Sequence, residues 1–126
     1  MLQRISTEQA PAAIGPYSQA VRAGDFLYLS GMIPIDPKTG VLEPADIRVQ
    51  ASRIMTNIEA VLAAVGLTQA DVVKTTCFLS DMGNFAPFNE VYGAYFTSKP
   101  ARSCVAVREL PKGALAEVEV IAYCGK

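Results

Sequence analysis

Histidine is absent from this 126-residue sequence, and that absence excludes several common kinds of active site. Without an imidazole there is no His-based triad, no imidazole metal ligand and no general base with a pKa near neutrality. The phosphate-binding pattern G-x-x-x-x-G-K, the dinucleotide pattern G-x-G-x-x-G and the nucleophile pattern G-x-S-x-G are missing as well. Any chemistry must therefore rest on carboxylates, thiols, tyrosines and arginines.

Cysteine is scarce, and the spacing of its residues does not indicate a disulfide framework. The three residues are Cys77, Cys104 and Cys124, with no C-x-x-C pair among them. Neither a disulfide scaffold nor a zinc site is predicted, and we expect no metal. Each cysteine taken alone has the ordinary interpretation of a small buried apolar residue.

The chain also lacks an excess of basic residues and a long apolar run. The sequence contains eleven Lys and Arg residues and twelve Asp and Glu residues, which gives a net charge of -1. The positive field that draws proteins to nucleic acid is missing, so we expect no nucleic-acid binding. No apolar run approaches the roughly 18 residues of a membrane span, and the start has no signal-peptide pattern. We expect a cytoplasmic protein that does not associate with membranes.

Apolar residues, by contrast, are plentiful at 51% of the sequence, while charged residues make up 18%. The length fits one domain over residues 1–126, since single domains typically run to about 100–150 residues. The apolar excess indicates burial beyond one core. We therefore expect an oligomer.

Alternating and helical patterns predict an α+β fold of order βββ-α-β-α-ββ. A first helix is expected to begin after Asp46, a good N-cap, and to stop at Gly66, and a second covers about 84–97. Strands are predicted at 2–6, 18–23, 26–31 and 72–80, with a closing hairpin within 100–120. Both helices should cover one face of a mixed sheet and leave the other face for a second subunit.

The predicted hairpin carries four polar residues of interest. Arg102 and Cys104 share one face of its first strand, and Glu117 and Glu119 share one face of its second. An antiparallel register would set Cys104 opposite Glu117 and Arg102 opposite Glu119. Such an arginine can bind a carboxylate and such a glutamate can orient or deprotonate water. The alternative is a cross-strand ion pair worth at most about 1 kcal/mol.

Five motifs taken together resemble the RidA (YjgF) family of reactive-intermediate deaminases. They are IGPYSQA, LSGMIP, VVKTTCFLSDM, FNEVYGAYF and PARSCVAV followed by LPKG and EVE, and they span nearly the whole chain. The resemblance implies a chorismate-mutase-like α+β fold and a homotrimer with active sites between neighbouring subunits. It also implies hydrolysis of 2-imino acids and their enamine tautomers, such as 2-iminobutanoate and 2-iminopropanoate, to 2-oxo acids and ammonia without a cofactor.

The resemblance also implies a role for individual residues. Arg102 would hold the substrate carboxylate with help from the backbone N–H of Gly31, and Glu117 would position the attacking water. Cys104 would face the imine in a supporting role. Burial beside a second carboxylate would raise the pKa of Glu117. Three further residues would wall or shape the pocket, namely Tyr17, Ser30 and Asn89.

Two other functions stay open at this point. The first is a trimer that binds small acids without turnover, as a sensor or a chaperone-like regulator. The second is a ribonuclease or translation inhibitor, an activity ascribed to some relatives. The acidic charge balance and the lack of a basic patch count against the second.

Overall fold

Six β-strands within residues 1–125, the part of the chain that the computed structural model describes, form one sheet. They are β1 (Leu2–Ile5), β2 (Ala20–Ala23), β3 (Phe26–Met32), β4 (Val72–Leu79), β5 (Ala101–Ala106) and β6 (Ala116–Tyr123). Their order across the sheet is β1-β2-β3-β6-β4-β5. Within residues 1–125 only the β4–β5 pair is parallel, so the sheet is mixed as predicted.

Two helices, α1 (Ile47–Ala63) and α2 (Phe85–Tyr95), account for the α part within the same residues. Asp46 caps α1 as predicted, because its Oδ1 accepts the N–H groups of Arg48 at 2.9 Å and Val49 at 3.3 Å. After α1, Gly66 takes a φ of 75°, which a glycine adopts without strain. No helix in residues 1–125 has the length and hydrophobicity needed to cross a membrane.

The core lies between the sheet and the two helices. Alternate residues of β6 are buried, as expected of a strand with one covered face. The helices contribute apolar side chains at spacings of three and four. Fully buried core residues include Leu27, Ile54, Ile58, Leu62, Leu79, Phe88 and Val118.

The opposite face of the sheet carries large apolar side chains that remain partly open. Phe26 is 38% exposed, Tyr28 is 46% exposed and Tyr123 is 43% exposed. These three residues lie on neighbouring positions of β3 and β6, where Phe26 pairs with Tyr123. This uncovered sheet face has the character that the sequence predicts for a surface shared between subunits.

The predicted closing hairpin is wrong. Strand β4 lies between β5 and β6, so those two strands do not pair with each other. The proposed pairs of Cys104 with Glu117 and of Arg102 with Glu119 are therefore wrong too. Sequence alternation identifies each strand but not its neighbours. Here α2 joins β4 to β5 as a strand–helix–strand unit, which makes those two strands the parallel pair.

Candidate active site

A pocket of about 680 Å³ opens at the uncovered sheet face, where β3 meets β6. Four of the residues proposed from the sequence line it, and Glu119 joins them. The four are Tyr17, Ser30, Gly31 and Glu117. The sequence thus predicts this group correctly as neighbours, although they come from a loop and two different strands.

Because Gly31 has no side chain, the Glu117 carboxylate can occupy the space next to it. A Cβ built on Gly31 would overlap Oε2 of Glu117 and lie 2.8 Å from its Cδ. Carbon atoms do not approach that closely, so any larger residue would displace the carboxylate. The glycine therefore sets the position of Glu117 against the β3 backbone.

The pKa of Glu117 lies above its ordinary value. Burial is the larger cause, because it disfavours the charged form, and the negative charge of Glu119 adds to it. A carboxyl group with a raised pKa binds a proton more readily than a free glutamate does. This is the property that general acid–base chemistry requires of a carboxyl group.

Gln19 stabilises the loop beside the pocket through hydrogen bonds to Thr7 and Pro11. Its Oε1 accepts the N–H of Thr7 at 2.7 Å, and its Nε2 donates to the carbonyl of Pro11 at 2.7 Å. Ser30 Oγ donates to the carbonyl of Ser18 at 2.6 Å, so its proton is engaged within the loop. The role of Gln19 was not predicted. The sequence shows a glutamine within the motif IGPYSQA, but only the structure shows that this residue is 6% exposed and must have its polar atoms paired.

A second polar cluster lies at the β5 edge of the sheet. The Arg102 guanidinium donates from Nη1 to Asn89 Oδ1 at 2.6 Å. Its central carbon lies 4.7 Å from the ring centroid of Tyr92 and 5.5 Å from that of Phe85. A cavity of about 650 Å³ is bordered by Asn89, Tyr92 and Arg102 among other residues. These contacts hold the arginine beside open space.

Cys104 lies next to Cys77 in the parallel register of β4 and β5. Burial raises the pKa of the Cys104 thiol, and the nearby charge of Arg102 opposes this only in part. Burial, followed by the neighbouring Cys104, raises the pKa of Cys77 to about 12. Both thiols are therefore protonated near neutral pH and are weak nucleophiles.

The two clusters occupy opposite faces of the sheet. Arg102 pairs with Thr75, whose side chain is buried on the helix side. Glu117 pairs with Phe78, which has the opposite parity along β4. One chain therefore does not bring Arg102 and Glu117 together, and the shared polar face predicted from the sequence is wrong within a single chain. The residues apart from the first pocket are Asn89, Arg102 and Cys104.

The aromatic support of Arg102 was missed. Phe85, Asn89 and Tyr92 lie four and three residues apart on α2, and this spacing places them on one helix face. The spacing is visible in the sequence, but only the structure shows that Arg102 packs against that face.

Within residues 1–125 no group of three acidic, cysteine or histidine residues is arranged to hold a metal ion.

Comparisons with known proteins agree with this architecture. Residues 7–124 match the family described as Endoribonuclease L-PSP. The 2-iminobutanoate/2-iminopropanoate deaminase of Escherichia coli K12 is 48% identical over 126 residues, covering 97% of this chain and 98% of that protein.

Two solved structures extend the agreement to the fold. The E. coli protein TdcF with bound serine is 42% identical, with a TM-score of 0.93 over 98% of this chain and 99% of that one. RidA from an Antarctic Psychrobacter species is 43% identical, with a TM-score of 0.92 over 96% and 98% of the two chains. The fold is thus the chorismate-mutase-like α+β fold that the resemblance implied. Since sequence and fold agree over nearly the entire length, the chain belongs to the RidA (YjgF) family, also described as Endoribonuclease L-PSP.

Proposed function

We propose that this protein hydrolyses 2-imino acids, such as 2-iminobutanoate and 2-iminopropanoate, to 2-oxo acids and ammonia. The observation that carries the proposal is the position of Glu117, a carboxyl group with a raised pKa held in a pocket against Gly31. The near-full-length similarity to the E. coli deaminase supplies the class of substrate.

The proposed site is shared between two copies of the chain. Since Arg102 and Glu117 lie on opposite faces of the sheet in one copy, a substrate that touches both must lie between subunits. The uncovered sheet face supports a homotrimer in which each site uses both clusters. One subunit contributes Arg102, Asn89 and Cys104, and its neighbour contributes Tyr17, Ser30, Gly31 and Glu117.

In the proposed reaction, Arg102 binds the substrate carboxylate through the fork of its N–H groups, and the N–H of Gly31 donates a further hydrogen bond. A protonated imine has an electrophilic carbon already. Glu117 accepts a proton from water as the water oxygen attacks that carbon, and a tetrahedral amino alcohol forms. Glu117 then returns the proton to nitrogen. As the C–N bond breaks, Glu117 takes up the hydroxyl proton and passes it to the departing ammonia, so ammonium and the 2-oxo acid leave.

Cys104 has a supporting role in this scheme. Its raised pKa keeps the thiol protonated, so it faces the imine as a weak hydrogen-bond donor and not as a nucleophile. Hydrolysis by water needs no covalent intermediate. One positioned acid–base group contributes roughly 10²–10⁴-fold, which is adequate for a substrate that also hydrolyses unaided.

Binding without turnover is the competing function. The TdcF structure contains bound serine, a small amino acid with a carboxylate, and an arginine alone would suffice for such binding. A binding site has no need of a buried carboxyl group with a raised pKa, so Glu117 favours hydrolysis. The description of the family as an endoribonuclease has less support here, because Glu117 and Glu119 would repel a phosphate backbone.

The test generates 2-iminobutanoate in place with a threonine dehydratase and traps unreacted imine with semicarbazide. We expect the wild type to outcompete the trap. Arg102→Ala should lower kcat/KM at least about 100-fold, because it removes a charged hydrogen-bonding partner of the substrate. Glu117→Gln should lower kcat about 10²–10⁴-fold while 2-oxobutanoate binding changes little.

Arg48→Ala is the matched control, since Arg48 is an exposed arginine that pairs with Glu90 on the helices. It should keep wild-type turnover. Full turnover by Glu117→Gln would refute the role in positioning water. A wild type that binds 2-oxobutanoate but fails to outcompete the trap would establish the binding function instead.

A further inference from the structure

Tyr92 is held at both ends of its side chain. Its ring packs against those of Phe88 and Phe96, with centroid distances of 6.0 and 4.7 Å. Its hydroxyl makes a 2.6 Å hydrogen bond with the hydroxyl of Thr75, which is fully buried. Only 6% of Tyr92 is exposed. A ring held by two neighbouring aromatic rings and by a hydrogen bond at its hydroxyl has one orientation.

Arg102 depends on its neighbours for order because it lies on β5, at the edge of the sheet. None of the ion pairs within residues 1–125 involves it. Asn89 accepts from a single guanidinium nitrogen, Nη1. The remaining contacts are with the rings of Tyr92 and Phe85, and Tyr92 is the closer of the two.

We propose that Tyr92 is a positioning residue, whose ring holds the Arg102 guanidinium in the orientation that binds the substrate carboxylate. The inference rests on the proposed function, since it takes Arg102 as the carboxylate ligand. A ring that attracts the cation through its face takes up no N–H group in a conventional hydrogen bond. It therefore restrains the cation while leaving the donors that Asn89 does not use free for the ligand.

The restraint acts on binding more than on chemistry. A long arginine side chain on an edge strand samples many rotamers, and ordering it when the substrate arrives weakens affinity. Without the ring, this ordering is needed at every binding event. Because Arg102 holds the carboxylate equally before and during reaction, losing its orientation raises KM more than it lowers kcat.

Three variants at this position separate the ring from its hydroxyl. Tyr92→Phe keeps the ring over which Arg102 lies and should change KM at most about threefold. Tyr92→Leu removes the ring and should raise KM about tenfold, with kcat within about threefold of wild type. Tyr92→Met is a second ring-free variant that fills the space with a flexible chain, for use if the leucine variant does not fold.

Tyr95→Leu is the matched control. Tyr95 is a partly buried tyrosine of the same helix. Its ring makes an edge-to-face contact with Phe96 at 4.7 Å and is not one of the two rings next to the Arg102 guanidinium. It should leave KM near the wild-type value although it also removes an aromatic ring. A rise in KM equal to that of Tyr92→Leu would show general loosening of the helix and would overturn the inference.

A spectroscopic readout tests the same inference without turnover. The Arg102 Hε resonance, assigned by its disappearance in Arg102→Ala, should be shifted by the ring current in wild type and in Tyr92→Phe. It should move toward a free arginine value in Tyr92→Leu or Tyr92→Met. An unchanged resonance in both ring-free variants would refute the positioning role. A shifted wild-type resonance in a protein without imine hydrolysis would refute the proposed function alone.

Discussion

At the scale of single residues, the pKa of Glu117 is the property most open to direct measurement. Carbon-detected NMR of its side-chain carboxyl should show a titration midpoint above the ordinary value of 4.5. Glu119→Gln should lower this midpoint, because the negative neighbour is gone, yet leave it above 4.5 because burial is the larger cause. A wild-type midpoint at or below 4.5 would contradict the account of the pocket given above.

The same raised pKa has a consequence for stability, with a definite sign. Protonated Glu117 stabilises the fold fully below the ordinary value of 4.5, and this contribution is lost as the pH rises through the folded-state pKa. Glu117→Gln carries no charge at either pH. Its melting temperature should therefore exceed that of wild type at pH 7 and match it more closely near pH 4. Equal differences at both pH values would contradict the sign.

Single residues also show where sequence reasoning stops. The motifs predict that Tyr17, Ser30, Gly31 and Glu117 belong together, and they do line one pocket. Alternation alone could not predict that Arg102 lies on the sheet face opposite to that of Glu117. This placement depends on which strand lies beside β5, a contact distant in the sequence.

At the scale of elements, one glutamine joins α1 to the strand that carries Glu117. Gln50 is fully buried, its Oε1 accepts the N–H of Leu115 at 2.9 Å, and its Nε2 donates to the carbonyls of Glu43 and Pro44. Gln50→Leu keeps the approximate volume but leaves these backbone groups unpaired. We expect a loss of about 2–4 kcal/mol in the free energy of unfolding, measured by denaturant titration at fixed protein concentration.

The matched substitution is Gln69→Leu. Gln69 also bonds to a distant segment, at Thr97 and Ser98, but these contacts are exposed to water. Water can replace the lost bonds there, so the cost should stay below about 1 kcal/mol. Similar losses in the two variants would mean that burial of Gln50 does not decide its contribution.

Local signals account for the part of the fold that the sequence predicts well. Asp46 caps the start of α1, and Gly66 lies three residues after its end at Ala63. The predicted bounds of β1 to β4 and of α2 lie within two residues of those in the structure, whereas β6 extends to Tyr123, three residues beyond the predicted hairpin. Capping and turn residues act over a few positions, so their effects can be read from neighbouring letters. The insertion of β6 between β3 and β4 has no such local signal, which explains the incorrect hairpin.

At the scale of the whole molecule, the two clusters and the uncovered sheet face are features that a second copy would complete. In the proposed homotrimer, the β5 edge of one subunit would lie against the β3–β6 pocket of the next in a closed ring. The native mass should then be three times the chain mass of 13.4 kDa. Light scattering coupled to size exclusion measures it, and a monomer mass would contradict the shared site.

Subunit mixing tests whether each site takes Arg102 and Glu117 from different copies. Arg102→Ala and Glu117→Gln subunits, each inactive alone, are unfolded together in equal amounts and refolded. In a ring with shared sites, every mixed trimer has one interface at which the intact arginine of one variant meets the intact glutamate of the other. Random assembly should restore about a quarter of wild-type turnover. A site built within one chain would regain none, because no subunit in the mixture carries both residues.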